Sequence, residues 1–214
     1  MVNQDKKEIY KVNPVIIYPE CILNKGHQDN CFKCNKLDEC TSPRSMCIAS
    51  YKNHINGCPN YGRLETCPPN IPCMYDEIFD IGDVYAIVTK FDLASYFQGR
   101  RERRPDLAEG QIRNLRAWQS IAIKENDYAI TDFYNRYPEF NNYVATRLLE
   151  CMGVDVINTM KQVGVNIKFP VEDYAYRIAF VANVYKEALE KYGFLVHEEL
   201  SGPKKGMKTL VRRK

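Results

Sequence analysis

Eight of the nine cysteines in this 214-residue chain fall between Cys21 and Cys73, in a stretch short of large apolar side chains. Their neighbours are Asn, Lys, Asp, Pro and Gly, so the null expectation for a lone thiol, packing as a small hydrophobe, does not extend to the group. Disulfides need an oxidising compartment, and the polar run from Met1 to Glu8 lacks the apolar core of an export signal. A cytoplasmic setting and metal ligation are therefore expected. Such a segment cannot bury enough surface to order itself, and bound metal would provide the missing free energy.

The spacing runs Cys21-x9-Cys31-x2-Cys34-x5-Cys40-x6-Cys47-x10-Cys58-x8-Cys67-x5-Cys73. Cys31-Phe-Lys-Cys34 is its tightest element, close enough for two sulfurs to share one turn and one metal centre. Eight thiolates match two four-ligand sites, and one division sets Cys31, Cys34, Cys40 and Cys47 against Cys21, Cys58, Cys67 and Cys73. Zinc modules usually carry two Cys-x-x-Cys knuckles per site or a cysteine pair facing a histidine pair. Here there is one such knuckle, and His27 and His54 form no pair, so both read as polar loop residues. Cys58-Pro59 and Cys67-Pro68 echo the Cys-Pro that closes ferredoxin-type runs. All-cysteine ligation at these spacings favours an iron–sulfur cluster, one or two of the 4Fe–4S type, with zinc as the alternative. Cys151, far from the group, reads as a buried inert thiol.

The rest of the chain reads as a mixed α/β layer. The expected division is a metal-binding segment over residues 1–75, an α/β core over 76–202 and a basic tail over 203–214. Val12 to Tyr18 suits a short buried strand, and Val84 to Phe91, rich in β-branched and aromatic residues, is the strongest strand of the chain. Gly99 to Pro105, with four arginines, reads as a solvated loop. Leu107 to Glu125 has helical periodicity with Trp118 in the core, and Tyr128 to Tyr143 reads as helix or irregular connection. Val144 to Glu150 carries a helical pattern, Asp155 to Val163 a helix ended by Gly164, and Val165 to Phe169 a short strand stopped by Pro170. Arg177 to Tyr185 reads as strand, Lys186 to Tyr192 as a helix closed by Gly193, and Phe194 to Leu200 as an edge strand. Glu150 and Asp155 read as helix-end caps. Six positive charges lie between Pro203 and Lys214, which reads as a frayed terminus. No apolar run reaches the roughly 18 residues of a membrane helix, and a net charge of +3 does not by itself argue for nucleic acid.

Cys58-Pro-Asn-Tyr61-Gly62-Arg63-x3-Cys67-Pro68-Pro69 resembles the signature of an uncharacterised family of predicted metal-binding proteins, found mostly in anaerobic bacteria and archaea. Its members carry an upstream cysteine, Cys-x-x-Tyr-Gly, Cys-Pro-Pro, and then a helix and a strand, whose places are taken here by Asp76 to Asp80 and Val84 to Phe91. Arg147-x2-Glu150-x2-Gly153-Val154-Asp155-Val156 is similar to the family's Arg…Glu-Ala-x-Gly-Ile-Asp-Val run. The resemblance covers residues 45–185. It implies metal, an iron–sulfur cluster first, and supplies no reaction. Family members have a further cysteine group ahead of the second run. This chain has none between Cys73 and Cys151, and carries Cys31, Cys34 and Cys40 ahead of the first motif, where they are expected to replace that group in space.

The function these features lead us to expect is electron transfer, or donation of a cluster or its sulfur, within an anaerobic system, with a protein redox or assembly partner. The cysteines would serve as deprotonated ligands, with Lys33, Lys36 and Arg63 offsetting the cluster's negative charge. Two alternatives stand beside it. One is a zinc-stabilised adaptor that binds protein or RNA through Arg100 to Arg104 and the basic tail; the other is an enzyme whose cluster keeps one iron open. No phosphate loop, dinucleotide fingerprint or nucleophile–base pair is visible.

Overall fold

The run Val84-Tyr-Ala-Ile-Val-Thr-Lys-Phe-Asp92 is apolar at almost every position, the pattern of a strand covered on both faces, and it forms the second strand of a mixed sheet. A computed structural model describes residues 7–18, 43–47, 55, 57–64, 67–68, 70–71, 75–168, 171 and 173–212. In chain order the elements are β1 (Lys7–Val12), α1 (Tyr75–Ile78), β2 (Val84–Asp92), α2 (Leu93–Arg103), α3 (Glu109–Ile112), α4 (Leu115–Arg136), β3 (Val144–Thr146), α5 (Val156–Lys161), β4 (Tyr174–Ala182), α6 (Lys186–Tyr192), β5 (Phe194–Glu198) and β6 (Lys208–Arg212). The sheet order is β1-β2-β4-β3-β6-β5, antiparallel except for the parallel β3–β6 pair. The mixed α/β expectation is met.

Alternation along the strands divides the core between two faces. Val84, Ala86 and Val88 of β2 share one face with Phe180 of β4 and Val144 of β3. Against them pack Tyr75 and Ile78 of α1, Met152, Val154, Met160 and the α6 residues Ala188 and Tyr192. Ile87, Ala145, Ala179 and Val181 point the other way and are covered by Ala129, Ile130, Phe133 and Tyr134 of α4. A third cluster joins Phe91 and Ala175 to Phe97, Ile112, Trp118 and Ala122, so Trp118 is core.

The helix α4 is fastened to the sheet by a polar side chain as well. Asn126, fully buried, donates through its amide to the carbonyls of Ile87 at 3.3 Å and Arg177 at 3.2 Å, and its Oδ1 accepts from Arg147 Nε at 2.7 Å. Every hydrogen-bonding direction that matters for a buried amide is then met.

Several expectations are corrected. The first strand is Lys7–Val12, not Val12 to Tyr18; beyond Val12, which ends it, only Ile16 of the apolar run pairs, in a single bridge to Val154. The arginine run lies inside α2, because Asp92 caps that helix by accepting from Ser95 N at 2.9 Å and the arginines of its last turn favour the negative helix end. Val144 to Glu150 is a strand followed by a 3-10 turn, Glu150–Met152, since Val144, Ala145 and Thr146 are buried against β4. Val165 to Lys168 is not a strand; Phe169 and Pro170 lie outside the described residues. The supposed frayed tail enters the sheet as β6, where Leu210 is buried and the strand pairs with both β3 and β5.

Among the described residues no helix is long and apolar enough to cross a membrane.

Candidate metal centre

The motif Cys58-Pro-Asn-Tyr-Gly62 folds back on itself through its own backbone. Tyr61 N donates to Cys58 O at 3.1 Å and Arg63 N to Asn60 O at 3.1 Å, two successive tight turns. Gly62 has φ of 67°, the left-handed region that costs an L side chain about 1–2 kcal/mol, and its N–H closes the loop onto Pro68 O at 2.8 Å. Cys67 N then donates to Leu64 O at 3.0 Å, and Asn70 N to Cys67 O at 2.9 Å. The loop therefore brings Cys58 and Cys67 to its two ends, with Pro68 buried and Ile71 fully buried beyond them.

A 3-10 turn over Pro43–Cys47 brings in the next thiol, and Cys58 N donates to Cys47 O at 2.7 Å. That turn packs against the 3-10 turn Glu150–Met152. The second turn is held from three sides. Met152 is fully buried in the core, Gly153 ends the turn at φ of 85°, and the segment that follows β1 straps it down through Ile17 N to Gly153 O at 2.8 Å and Asp155 N to Val15 O at 2.7 Å. Asp155 caps α5 by accepting from Asn158 N at 2.9 Å, as expected, whereas Glu150 makes no such cap.

The consequence is a meeting of thiols from three separate parts of the chain. Cys151 is hydrogen-bonded to Cys47, and Cys67 and Glu150 are close enough to act on it electrostatically. Each of these influences, the Cys47 contact first and burial next, pushes the Cys151 thiol well above the usual thiol range. Glu150 is exposed along much of its surface, yet loss of water around its carboxyl raises its pKa, and a hydrogen bond to its own backbone and then Arg177 draw it back. Arg177 in turn is desolvated beside Arg147, which lowers its own pKa.

Cys47, Cys58, Cys67 and Cys151 are all half-buried, and none of the four is in a disulfide. Cys21, Cys31, Cys34, Cys40 and Cys73 lie outside the described residues, as do His27 and His54, so the Cys31-x2-Cys34 knuckle, the placing of Cys31, Cys34 and Cys40, and the proposed division into two sets of four fall there too. Of the described members, Cys47 lies near Cys67 and Cys58. Among the described residues no three His, Cys, Asp or Glu side chains stand close enough to hold a single ion. A tetrahedral zinc with bonds of about 2.3 Å would bring its sulfurs within about 3.8 Å of each other.

Thiols whose ionisation is opposed stay protonated on their own, and a bound metal group would have to displace those protons, since the thiolate is the ligand. Cys151 was not identified from the sequence as part of this set. One signal in the sequence pointed to it: it is the ninth, unmatched cysteine.

Comparison of the chain with protein-family models, with curated proteins and with solved structures returned no match.

Proposed function

We propose that this protein binds an iron–sulfur cluster through thiolates of its cysteine-rich front segment and passes electrons, or cluster sulfur, to a protein partner in an anaerobic system. The observation that carries this reading is the convergence of Cys47, Cys67 and Cys151 from distant parts of the sequence. Cys58, one backbone hydrogen bond from Cys47, is the fourth member, and Cys21, Cys31, Cys34, Cys40 and Cys73 remain candidate ligands of the same or a second cluster. The likeness of the Cys58 to Pro69 motif to a family of predicted metal-binding proteins agrees with it.

A cluster interposes its own iron and sulfide between cysteines, so its ligands need not crowd as those of one zinc ion do. When bound, it would supply a one-electron redox couple or a source of sulfide. The chain's own residues do the rest: the Gly62 loop and the Met152-anchored turn fix where the thiols stand, and burial limits water around them.

The zinc adaptor reading is weakened on its binding surface. Arg101 is paired with Glu109 at 2.6 Å and Arg104 with Asp106 at 2.8 Å, and Lys208 to Arg212 is a sheet strand rather than a free basic arm.

Electron paramagnetic resonance of protein prepared without oxygen tests the proposal. A signal of a paramagnetic cluster, as isolated or after dithionite, is the expected result. Silence in both states from colourless protein carrying stoichiometric zinc would overturn it.

A further inference from the structure

On the sheet face away from the cysteines, three short side chains, Ala145, Ala179 and Thr209, lie under α4 on adjacent strands β3, β4 and β6. Short residues there leave a depression beside the helix, and it forms an open cavity of about 370 Å³ closed at one end by the 3-10 turn Gly202–Lys204. Ile130, Leu148 and Met207 form its apolar wall.

The polar wall is organised around Asp127, whose carboxylate is 3% exposed. Its Oδ1 accepts from Arg147, and its Oδ2 from Lys204 Nζ at 2.5 Å. A carboxylate with both oxygens taken is not an open cation site; it holds two cations in place. Arg147 uses Nε on Asn126 and one Nη2 bond on Asp127, which leaves three of its five N–H groups without a protein acceptor among the described residues. The Lys204 ammonium similarly retains two of three. Over the whole lining Asp127 and Glu199 balance Arg147 and Lys204, but Glu199 is only half-buried, so around the buried Asp127 carboxylate the two fixed cations leave a local excess of one positive charge, and Glu199 disfavours an anion of higher charge.

We infer that this cavity is a binding site for a small organic monoanion, a monocarboxylate with a compact apolar body, whose charged end takes the free donors of Arg147 and Lys204 and whose body lies on Ile130, Leu148 and Met207. The inference is independent of the metal reading, since none of these groups belongs to the cysteine assembly.

Titration of the whole protein with benzoate, benzyl alcohol, benzylamine and inorganic phosphate, followed by calorimetry or chemical-shift changes, tests it. Benzoate is expected to saturate at about 1 mM or below, with the neutral alcohol and the amine much weaker. Lys204→Met keeps the stem and removes the charge, and weakens benzoate by about 10- to 100-fold, the scale of a charge-assisted hydrogen bond. Thr209→Val, nearly isosteric and favourable in a strand, replaces the hydroxyl on the cavity floor with a methyl group and weakens benzoate by about 2- to 10-fold. Cys151→Ser leaves benzoate binding unchanged, so failure here and failure of the metal proposal are separable. Binding of benzylamine in preference to benzoate, phosphate binding as well as benzoate, indifference to both substitutions, or no saturable binding would each overturn the inference.

Discussion

Replacing Asn126 with alanine tests the claim that a buried amide, as well as apolar packing, locks α4 onto the sheet. The side chain is fully buried and makes three bonds. The two amide-to-carbonyl bonds, at 3.3 and 3.2 Å, are long, and each should contribute about 0.5–1 kcal/mol. The bond from Arg147 Nε, at 2.7 Å, is short and charge-assisted and should contribute about 1.5–3 kcal/mol. Together these give about 2.5–5 kcal/mol, before any term for the hole left behind. Arg147 is 30% exposed, so its freed Nε can reach water, which points to the lower half, about 3 kcal/mol. Urea unfolding of both proteins, with the m-value checked for equality, measures it. The exposed Asn135→Ala on the same helix is the control and should change stability by no more than about 0.5 kcal/mol. A loss below about 1 kcal/mol for Asn126→Ala would show that the amide fills space and does not fasten the helix.

Three further outcomes follow from particular groups. Tyr75 is fully buried with its hydroxyl unpartnered among the described residues, and an unbonded buried hydroxyl costs about 1–3 kcal/mol, so Tyr75→Phe should stabilise the protein by about 1 kcal/mol in thermal or urea unfolding; a loss of that size would reveal a partner for the hydroxyl. Gly153 stands at φ of 85° at the end of the turn that carries Cys151, so Gly153→Ala should cost about 1–2 kcal/mol, and an unchanged midpoint would refute the left-handed assignment. Asp83 is held below the usual carboxylate range, first by Lys11 and then by Tyr143, which donates to it at 2.5 Å. A depressed folded-state pKa contributes stability that is complete above the unfolded value, about 3.9, and is lost as pH falls through the folded value. Between pH 6 and pH 2 the wild type should therefore lose more stability than Asp83→Asn, and parallel pH profiles would contradict this.

What the sequence reveals depends on whether a local pattern decides the outcome. The strand Val84–Asp92 is legible because both its faces are buried and its residues are β-branched or aromatic. The helix Lys186–Tyr192 is legible because Gly193 closes it at φ of 66°, and the α5 start because Asp155 caps it. Elements that depend on distant partners are not. Lys-Glu-Ile-Tyr-Lys-Val is a strand only because β2 offers its edge, and Val144–Thr146 only because β4 and β6 flank it. The C-terminal charges hide Thr209-Leu-Val211, whose pairing with β3 and β5 is nonlocal. The arginine run conceals a helix because its cap, Asp92, stands seven residues ahead of Gly99. Among the cysteines, the Cys58 to Cys67 loop is legible from its turn residues, whereas the approach of Cys151 to Cys47 arises from tertiary folding and leaves only an odd count as its trace.

Iron and acid-labile sulfide, determined on protein purified without oxygen and again on its Cys47→Ser, Cys67→Ser and Cys151→Ser variants, test the central proposal most directly. The account predicts iron and sulfide in nearly equal amounts in the parent and a marked loss of both in each variant. Folded parent protein free of transition metal, or variants that keep the full complement, would contradict it.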